Sequence, residues 1–472
     1  MERIAISLAG HTNLGKTTLA RTLLRQDIGV VDDRPHVTDV ADGRVMQKDD
    51  QAEILLWDLP GFGDSVRLKQ RLMRTGVIAW LGTVFDRWTD RPLWCSQRCL
   101  ENARNDADVV LYLVDANADP SGSPEVRAEM DVLGLVGKPV IILLNQTGLP
   151  DHRRDQQLAG DWRQAMRGHP FVHDVMPLDG WMRCWVQESA LFQRIAPLLT
   201  DQKRPHFDRL IAAWKTRHHD DVFKNAVALL ADALCQTAAE RAVVEKESLA
   251  DKARSVIVRK PSDQVESARS ILAASLIARS RRSMEDLLAI HQLDGISQDR
   301  VDSLVDGLKT GNPGAPPELL GILGGIGSGV LAGLWADLHT GGLSFGGGAV
   351  AGGLLGGLAV YALGYGYQKI RGEDGVTRLQ WSRDFLLDEW KASAMRYLMV
   401  AHFGRGQGQW QEPIPSSWPV QWKQHIDDWT ERRKKEIDVA LAAGDGATIR
   451  KLMESMLREI LRILYPDLSD SP

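Results

Sequence analysis

Residues Gly10 to Thr17 read Gly-His-Thr-Asn-Leu-Gly-Lys-Thr, a phosphate-binding pattern of the form G-x-x-x-x-G-K-[ST]. It constrains the fold because its flanks agree with it. The apolar run Ile4–Leu8 predicts a buried strand before it, and Thr18–Arg25 predicts the first turns of a helix after it. Strand, loop, helix is the context in which such a loop works. Glycines let the backbone turn tightly enough for successive N–H groups to face one anion, and a helix starting near Lys16 adds its positive end. On this chemistry Lys16 reaches the β- and γ-phosphates, and the Thr17 hydroxyl holds Mg²⁺. Gly10, Asn13, Leu14, Gly15 and Thr18 complete the expected cradle.

A second box, Asp58-Leu59-Pro60-Gly61, follows the apolar stretch Ile54–Trp57. An aspartate at a strand end can order Mg²⁺ through water, and the N–H of Gly61 can sense a γ-phosphate. Thr38 lies between the boxes in the polar stretch Val31–Asp49. It reads either as a residue that closes over Mg²⁺ or as an ordinary loop threonine. Asp108–Asp115 and Pro139–Leu144 are continuous apolar runs, as inner parallel strands are. Strands alternating with helical stretches predict an α/β domain with a doubly wound, mostly parallel sheet.

These boxes resemble the small-GTPase-like proteins of the Era, EngA and TrmE group over about the first two hundred residues. The resemblance implies GTP and GDP as ligands, Mg²⁺ as cofactor, GTP hydrolysis, and Lys16, Thr38 and Gly61 as the catalytic set. It also implies nucleotide contacts from Asn145, Gln146 and Asp179, the last in the weakly marked loop Leu178-Asp179-Gly180. The family's base-recognition box is Asn-Lys-x-Asp. Here Gln146 replaces the lysine and Gly148 the aspartate, so guanine selectivity is open and an ATPase remains an alternative. Phe62 stands where many members place a water-orienting glutamine. Asn13 occupies the position at which potassium-activated members hold K⁺, although asparagine also suits a plain turn. The chain further resembles a bacterial GTPase family with a C-terminal helical domain of unknown function. In the long stretch Phe62–Asn105, Arg87 or Arg91 either completes the catalytic site or pairs with Asp86 and Asp90 at the surface.

The net charge of −5 provides no basic field for nucleic acid, and none is expected as a partner. Cys95, Cys99, Cys184 and Cys235 read as reduced thiols. A chain that starts directly on a strand predicts no cleavable export signal and a cytoplasmic protein.

Past Pro205 the apolar residues recur at helical spacing, as in Phe207, Leu210, Ile211 and Trp214, and predict an all-α domain. His218-His219-Asp220-Asp221 reads as an exposed helix surface, because neighbouring residues on a helix diverge. The uncharged runs Leu319–Ala336 and Leu343–Tyr367 carry glycines at every fourth position, among them Gly321, Gly325, Gly329 and Gly333. That spacing is the small-xxx-small pattern of paired membrane helices. It predicts a glycine-zipper hairpin that associates with the inner membrane, with Lys309 and Lys369-Ile370-Arg371 as cytoplasmic flanks; burial between soluble helices is the other reading. The expected organisation is a nucleotide domain at 1–200, helical segments at 201–316 and 371–472, and the hairpin at 317–370. The expected partners are guanine nucleotide, a membrane lipid or membrane protein, and a second copy of the chain in a nucleotide-dependent dimer. The function these features favour is a slowly turning GTP switch; a membrane scaffold with little turnover is the alternative.

Overall fold

The computed structural model describes residues 1–26, 42–75, 90–147, 151–180, 184–244, 263–292, 366–402 and 418–466. The chain clusters into two compact units. One comprises Met1–Asp221, Ala401–Gln411 and Leu461–Pro472; the other comprises Val222–Val400 and Glu412–Ile460. The first unit therefore runs past the expected boundary at 200.

In the first unit the strands β1 (Glu2–Gly10), β2 (Asp42–Lys48), β3 (Ala52–Asp58), β4 (Val109–Asp115), β5 (Val140–Asn145) and β6 (Val172–Pro177) form one sheet. Its order is β2-β3-β1-β4-β5-β6, and only β2 runs antiparallel to its neighbour. This is the doubly wound α/β domain expected from the alternating apolar runs. Both faces of β4 are buried: Val109, Leu111 and Leu113 enter one core, and Val110, Tyr112 and Val114 the other. The period-2 alternation of side chains makes such a strand wholly apolar.

The helices of this unit are α1 (Lys16–Leu24), α2 (Ser65–Thr75), α3 (Arg91–Asn105), α4 (Pro124–Gly134), α5 (His152–Ala165), α6 (Trp185–Ile195) and α7 (Arg204–Lys215). The α7 stripe Phe207, Leu210, Ile211 and Trp214 packs into the same core as Ile4, Leu19 and Leu111, which is why the unit continues beyond residue 200.

After α7 the chain makes one π-helical turn, Thr216–Asp220. The sequence predicts an exposed surface for His218–Asp221; Asp221 is exposed and His218 and Asp220 are half-buried, but the structure corrects the reading at His219. His219 is buried, with Nε2 2.9 Å from Glu188 Oε2 and Nδ1 3.1 Å from Ser189 Oγ. Arg25 clamps the same Glu188 with bonds of 3.0 and 2.8 Å and lies over the Trp214 ring. The extra residue of a π turn rotates His219 inward, a shift that helical periodicity does not anticipate. Burial pushes the His219 imidazole toward its neutral form, and Glu188 opposes this.

The second unit is largely helical, built from α8 (Asp221–Ala239), α9 (Asp263–Ile290), α10 (Arg383–Ala401), α11 (Trp418–Ala443) and α12 (Gly446–Leu464). To the expected all-α picture it adds a small antiparallel sheet. Its strands are β7 (Ala242–Val243), β8 (Tyr367–Arg371) and β9 (Thr377–Trp381), in the order β7-β9-β8. Trp381 stacks on Tyr367 and on Phe385. Trp390 and Trp429 stack at 6.4 Å, so these tryptophans pack helices together. Lys369-Ile370-Arg371 lie on β8, where Lys369 sits opposite Leu379. The remainder of the expected hairpin lies outside the described residues. Among the described residues no helix is long and apolar enough to cross a membrane.

A buried acid and a half-buried one each allow a stability test. Glu188→Ala leaves Arg25 and His219 without their shared acceptor and should cost about 3 kcal/mol in thermal or denaturant unfolding. Asp155 lies on the core-facing stripe of α5 with Ala159 and Trp162, and burial pushes its carboxyl up to about 7, with Asp151 adding to the effect. A raised acid pKa means that the folded state keeps a proton which the unfolded chain releases, so stability falls as pH rises from about 4 to about 7. Asp155→Asn should therefore raise the melting temperature clearly at pH 8 and little at pH 4. An equal gain at both would contradict the assignment.

Candidate functional site

The phosphate loop begins where β1 runs out beside β4. Gly10 has φ 141°, and a Cβ there would meet the Leu113 carbonyl oxygen at 2.5 Å. Gly15 has φ 75°, and its Cβ would meet Asn145 Nδ2 at 2.7 Å. Both glycines are thus required by close approach as well as by dihedral angle. Asn13 takes the left-handed conformation at φ 63°, which asparagine tolerates best among side-chain-bearing residues. Helix α1 opens at Lys16, so its first-turn amides face the loop as orphan donors. Lys16 is 7% exposed, and its Nζ donates to the carbonyls of Gly10 at 3.2 Å and His11 at 2.6 Å. Burial lowers its affinity for protons, and the Asp58 charge works the other way.

Thr17 Oγ1 donates to Asp58 Oδ2 at 2.7 Å. The aspartate stands at the end of β3, beside the loop because β3 pairs in parallel with β1. Burial pushes its carboxyl up to about 6, against the Thr17 hydrogen bond and the Lys16 charge. Asp58 Oδ1 is buried with no hydrogen-bond partner among the described residues. A buried carboxylate oxygen without a donor is costly, and a divalent cation or its bound water would satisfy it. The hydroxyl and carboxylate oxygens are the hard donors that Mg²⁺ takes, with the rest of its shell from water and phosphate. The residues present therefore fit Mg²⁺.

The second box folds back onto the phosphate loop. Phe62 N–H donates to Gly10 O at 3.1 Å, and Phe62 forms a parallel bridge with His11. A Cβ on Gly61 would lie 2.8 Å from the Thr12 backbone. The Phe62 side chain is fully buried. Its hydrophobic character serves to anchor the box in the core with Leu68 and Leu100.

Asn145, at the end of β5, ties two loops together. Its Nδ2 donates to Leu14 O at 2.8 Å, and its Oδ1 accepts from Gly180 N–H at 2.7 Å. Asp179 is buried next to that contact, and Gly180 packs on Thr18. Gln146 is exposed and left-handed at φ 59°. Its carbonyl accepts from Asn117, which also holds Asp115 and Arg154, a structural use of Asn117. Thr38, Arg87 and Gly148 lie outside the described residues. Asp90 pairs with Arg67 at 2.8 Å.

Sequence reasoning passed over one buried cluster. Glu129 of α4 is fully buried and accepts from Ser65 Oγ, from Tyr112 OH at 2.6 Å and from His11 Nδ1 at 3.0 Å. The available signal was its place on the apolar side of α4, next to Ala128 and Met130 and followed by Val132 and Leu133.

Residues 5–146 match the family model described as 50S ribosome-binding GTPase. GTPase Der of Leptospira borgpetersenii serovar Hardjo-bovis is 29% identical over 149 residues, 30% of this chain and 25% of Der. GTPase Der of Rhizobium meliloti is 30% identical over 142 residues, again 30% of this chain and 25% of Der. The chain thus spans about a quarter of the length of these curated relatives. Among solved structures, an Aquifex aeolicus Era variant bound to GDP and aluminium fluoride has a TM-score of 0.32 and 14% identity, over 61% of this chain and 90% of Era. The model described as Domain of unknown function (DUF3482) matches residues 185–442. Since that match takes in more than half of the 472 residues, the chain belongs to the DUF3482 family, with a P-loop GTPase domain at its N-terminal end.

Proposed function

We propose that the chain is a guanine-nucleotide switch that hydrolyses GTP slowly and passes its nucleotide state to the helical unit. The observation that carries this reading is the Thr17–Asp58 pair beside the buried Lys16 ammonium. Together they present a hydroxyl, a carboxylate and a cation to one point at the head of α1. When bound, Mg²⁺ supplies charge neutralisation for the phosphates. Thr17 coordinates it and Asp58 orders its water. Lys16 exchanges its loop carbonyls for phosphate oxygens, and the Gly61 N–H reports the γ-phosphate. Leu14, Gly15 and Thr18 complete the cradle, and Asn145 fixes the loop next to the base.

Further parts of the reading rest on sequence. Thr38 closes over Mg²⁺, Asn13 holds K⁺ in the manner of potassium-activated relatives, and the base contacts come from Gln146 and the Asp179 loop. The glycine-zipper segment associates with the inner-membrane lipid or a membrane protein, and nucleotide promotes dimerisation. Gly148 in place of the base-reading aspartate favours a second reading, an ATPase.

Phosphate release by the full chain tests these together, with GTP or ATP, in K⁺ or Na⁺, with and without liposomes. The expected result is Mg²⁺-dependent release from GTP that is faster in K⁺ and is lost in Lys16→Ala, which keeps its fold by circular dichroism. Preference for ATP would move the reading to the ATPase. Nucleotide binding without release would move it to a scaffold. Unchanged GTP affinity in Lys16→Ala would overturn the site.

A further inference from the structure

We infer that Glu129 is a positioning residue that locks the Asp58–Ser65 segment onto the phosphate loop in the geometry that favours a nucleoside triphosphate over a diphosphate. This rests on the nucleotide-switch reading and adds to it a residue outside the loop and the boxes.

The carboxylate is fully buried, so its charge is tolerable only with donors around it. Among the described residues it has three, from three elements. Tyr112 OH comes from β4, at the floor of the site. Ser65 Oγ comes from the first residue of α2, just past the second box. His11 Nδ1 comes from the phosphate loop. An ionised carboxylate offers about four acceptor sites, so all three donors can be served at once, and hydrogen bonds to a charged acceptor are the stronger kind.

The positions of the two loop donors give the cluster its function. Gly61 is pressed against the chain next to one of them and is four residues before the other. His11 immediately precedes Thr12, on whose backbone Gly61 is pressed. Ser65 follows Gly61 through a short turn. The Phe62 N–H bond to Gly10 O closes the ring on the third side. The path from phosphate loop to carboxylate to α2 by hydrogen bonds, along the chain to the second box, and back by the Phe62 bond is therefore one closed circuit. An outer ion pair, Lys69–Asp131, also joins α2 to α4, but it is solvent-screened. The Gly61 N–H can meet a γ-phosphate only within a few tenths of an ångström of its proper place, because hydrogen bonds weaken steeply with distance and angle. A diphosphate presents no γ-oxygen, so its affinity does not depend on where Gly61 sits. Differential affinity for two ligands is what such a lock can change.

The test is equilibrium binding of GDP and of a non-hydrolysable GTP analogue to the full chain in Mg²⁺. Ser65→Ala and Glu129→Gln should each lower the triphosphate-to-diphosphate affinity ratio about tenfold, with GDP affinity unchanged. Ser65→Thr keeps the hydroxyl and should keep the ratio. Tyr112→Phe removes only the sheet-side donor; it should lower the melting temperature and leave the ratio as it is. Ser65→Ala reads the lock even if Glu129→Gln does not fold. A ratio in Ser65→Ala that is unchanged or higher would overturn the inference while leaving the nucleotide site standing. Failure of the wild-type chain to bind either nucleotide would remove the switch reading, and the inference with it.

Discussion

How closely backbone can approach backbone at the head of β1 governs the rest of the first unit. Around the phosphate loop three glycines sit where a Cβ would run into a neighbour at 2.5 to 2.8 Å: Gly10 against Leu113, Gly15 against Asn145, and Gly61 against Thr12. These approaches set the phosphate loop against β4, against Asn145 and against the second box. Any larger side chain at these points would part the loops that need to face one ligand. The parallel strands behind them supply the rigidity, since both faces of the sheet are packed with aliphatic side chains.

On that frame the charges are arranged in advance. Lys16 and Asp58 are both buried, and burial moves each toward its neutral form. Loop carbonyls hold the ammonium, and the Thr17 hydroxyl holds one carboxylate oxygen. A phosphate with its metal ion would replace these weaker partners with full charges, in a setting where water no longer screens them. Binding energy would then come from exchange of partners at fixed positions, which keeps the reorganisation small. Asn145 shows the same economy, since its one amide serves two loops.

Much of this was legible in the sequence where the physics is local. The strand, tight turn and helix around Lys16 follow from an apolar run, two glycines and a helix-forming segment. Asp58 at the end of β3 and Asn145 at the end of β5 follow from apolar strands that stop at a polar residue. What escaped the reading depends on distant parts of the chain. Strand β2 is half-exposed and polar, and takes its form from pairing with β3. The sheet of the second unit joins residues near 242 with residues near 370 and 380, a pairing that no window along the chain reveals. His219 is turned inward by a single π turn. Glu129 is an acid of a kind that normally faces water, and only the donors gathered from three other elements make it a buried anchor.

If the head of α1 takes a Mg²⁺-bound triphosphate, the metal and the nucleotide must bind together. Calorimetric titration of the full chain with a non-hydrolysable GTP analogue, in Mg²⁺ and again in excess chelator, addresses it most directly. The expected result is saturable binding of one nucleotide per chain in Mg²⁺, and affinity at least tenfold weaker once the metal is removed. No heat of binding with any nucleoside triphosphate, or the same affinity in chelator, would contradict it.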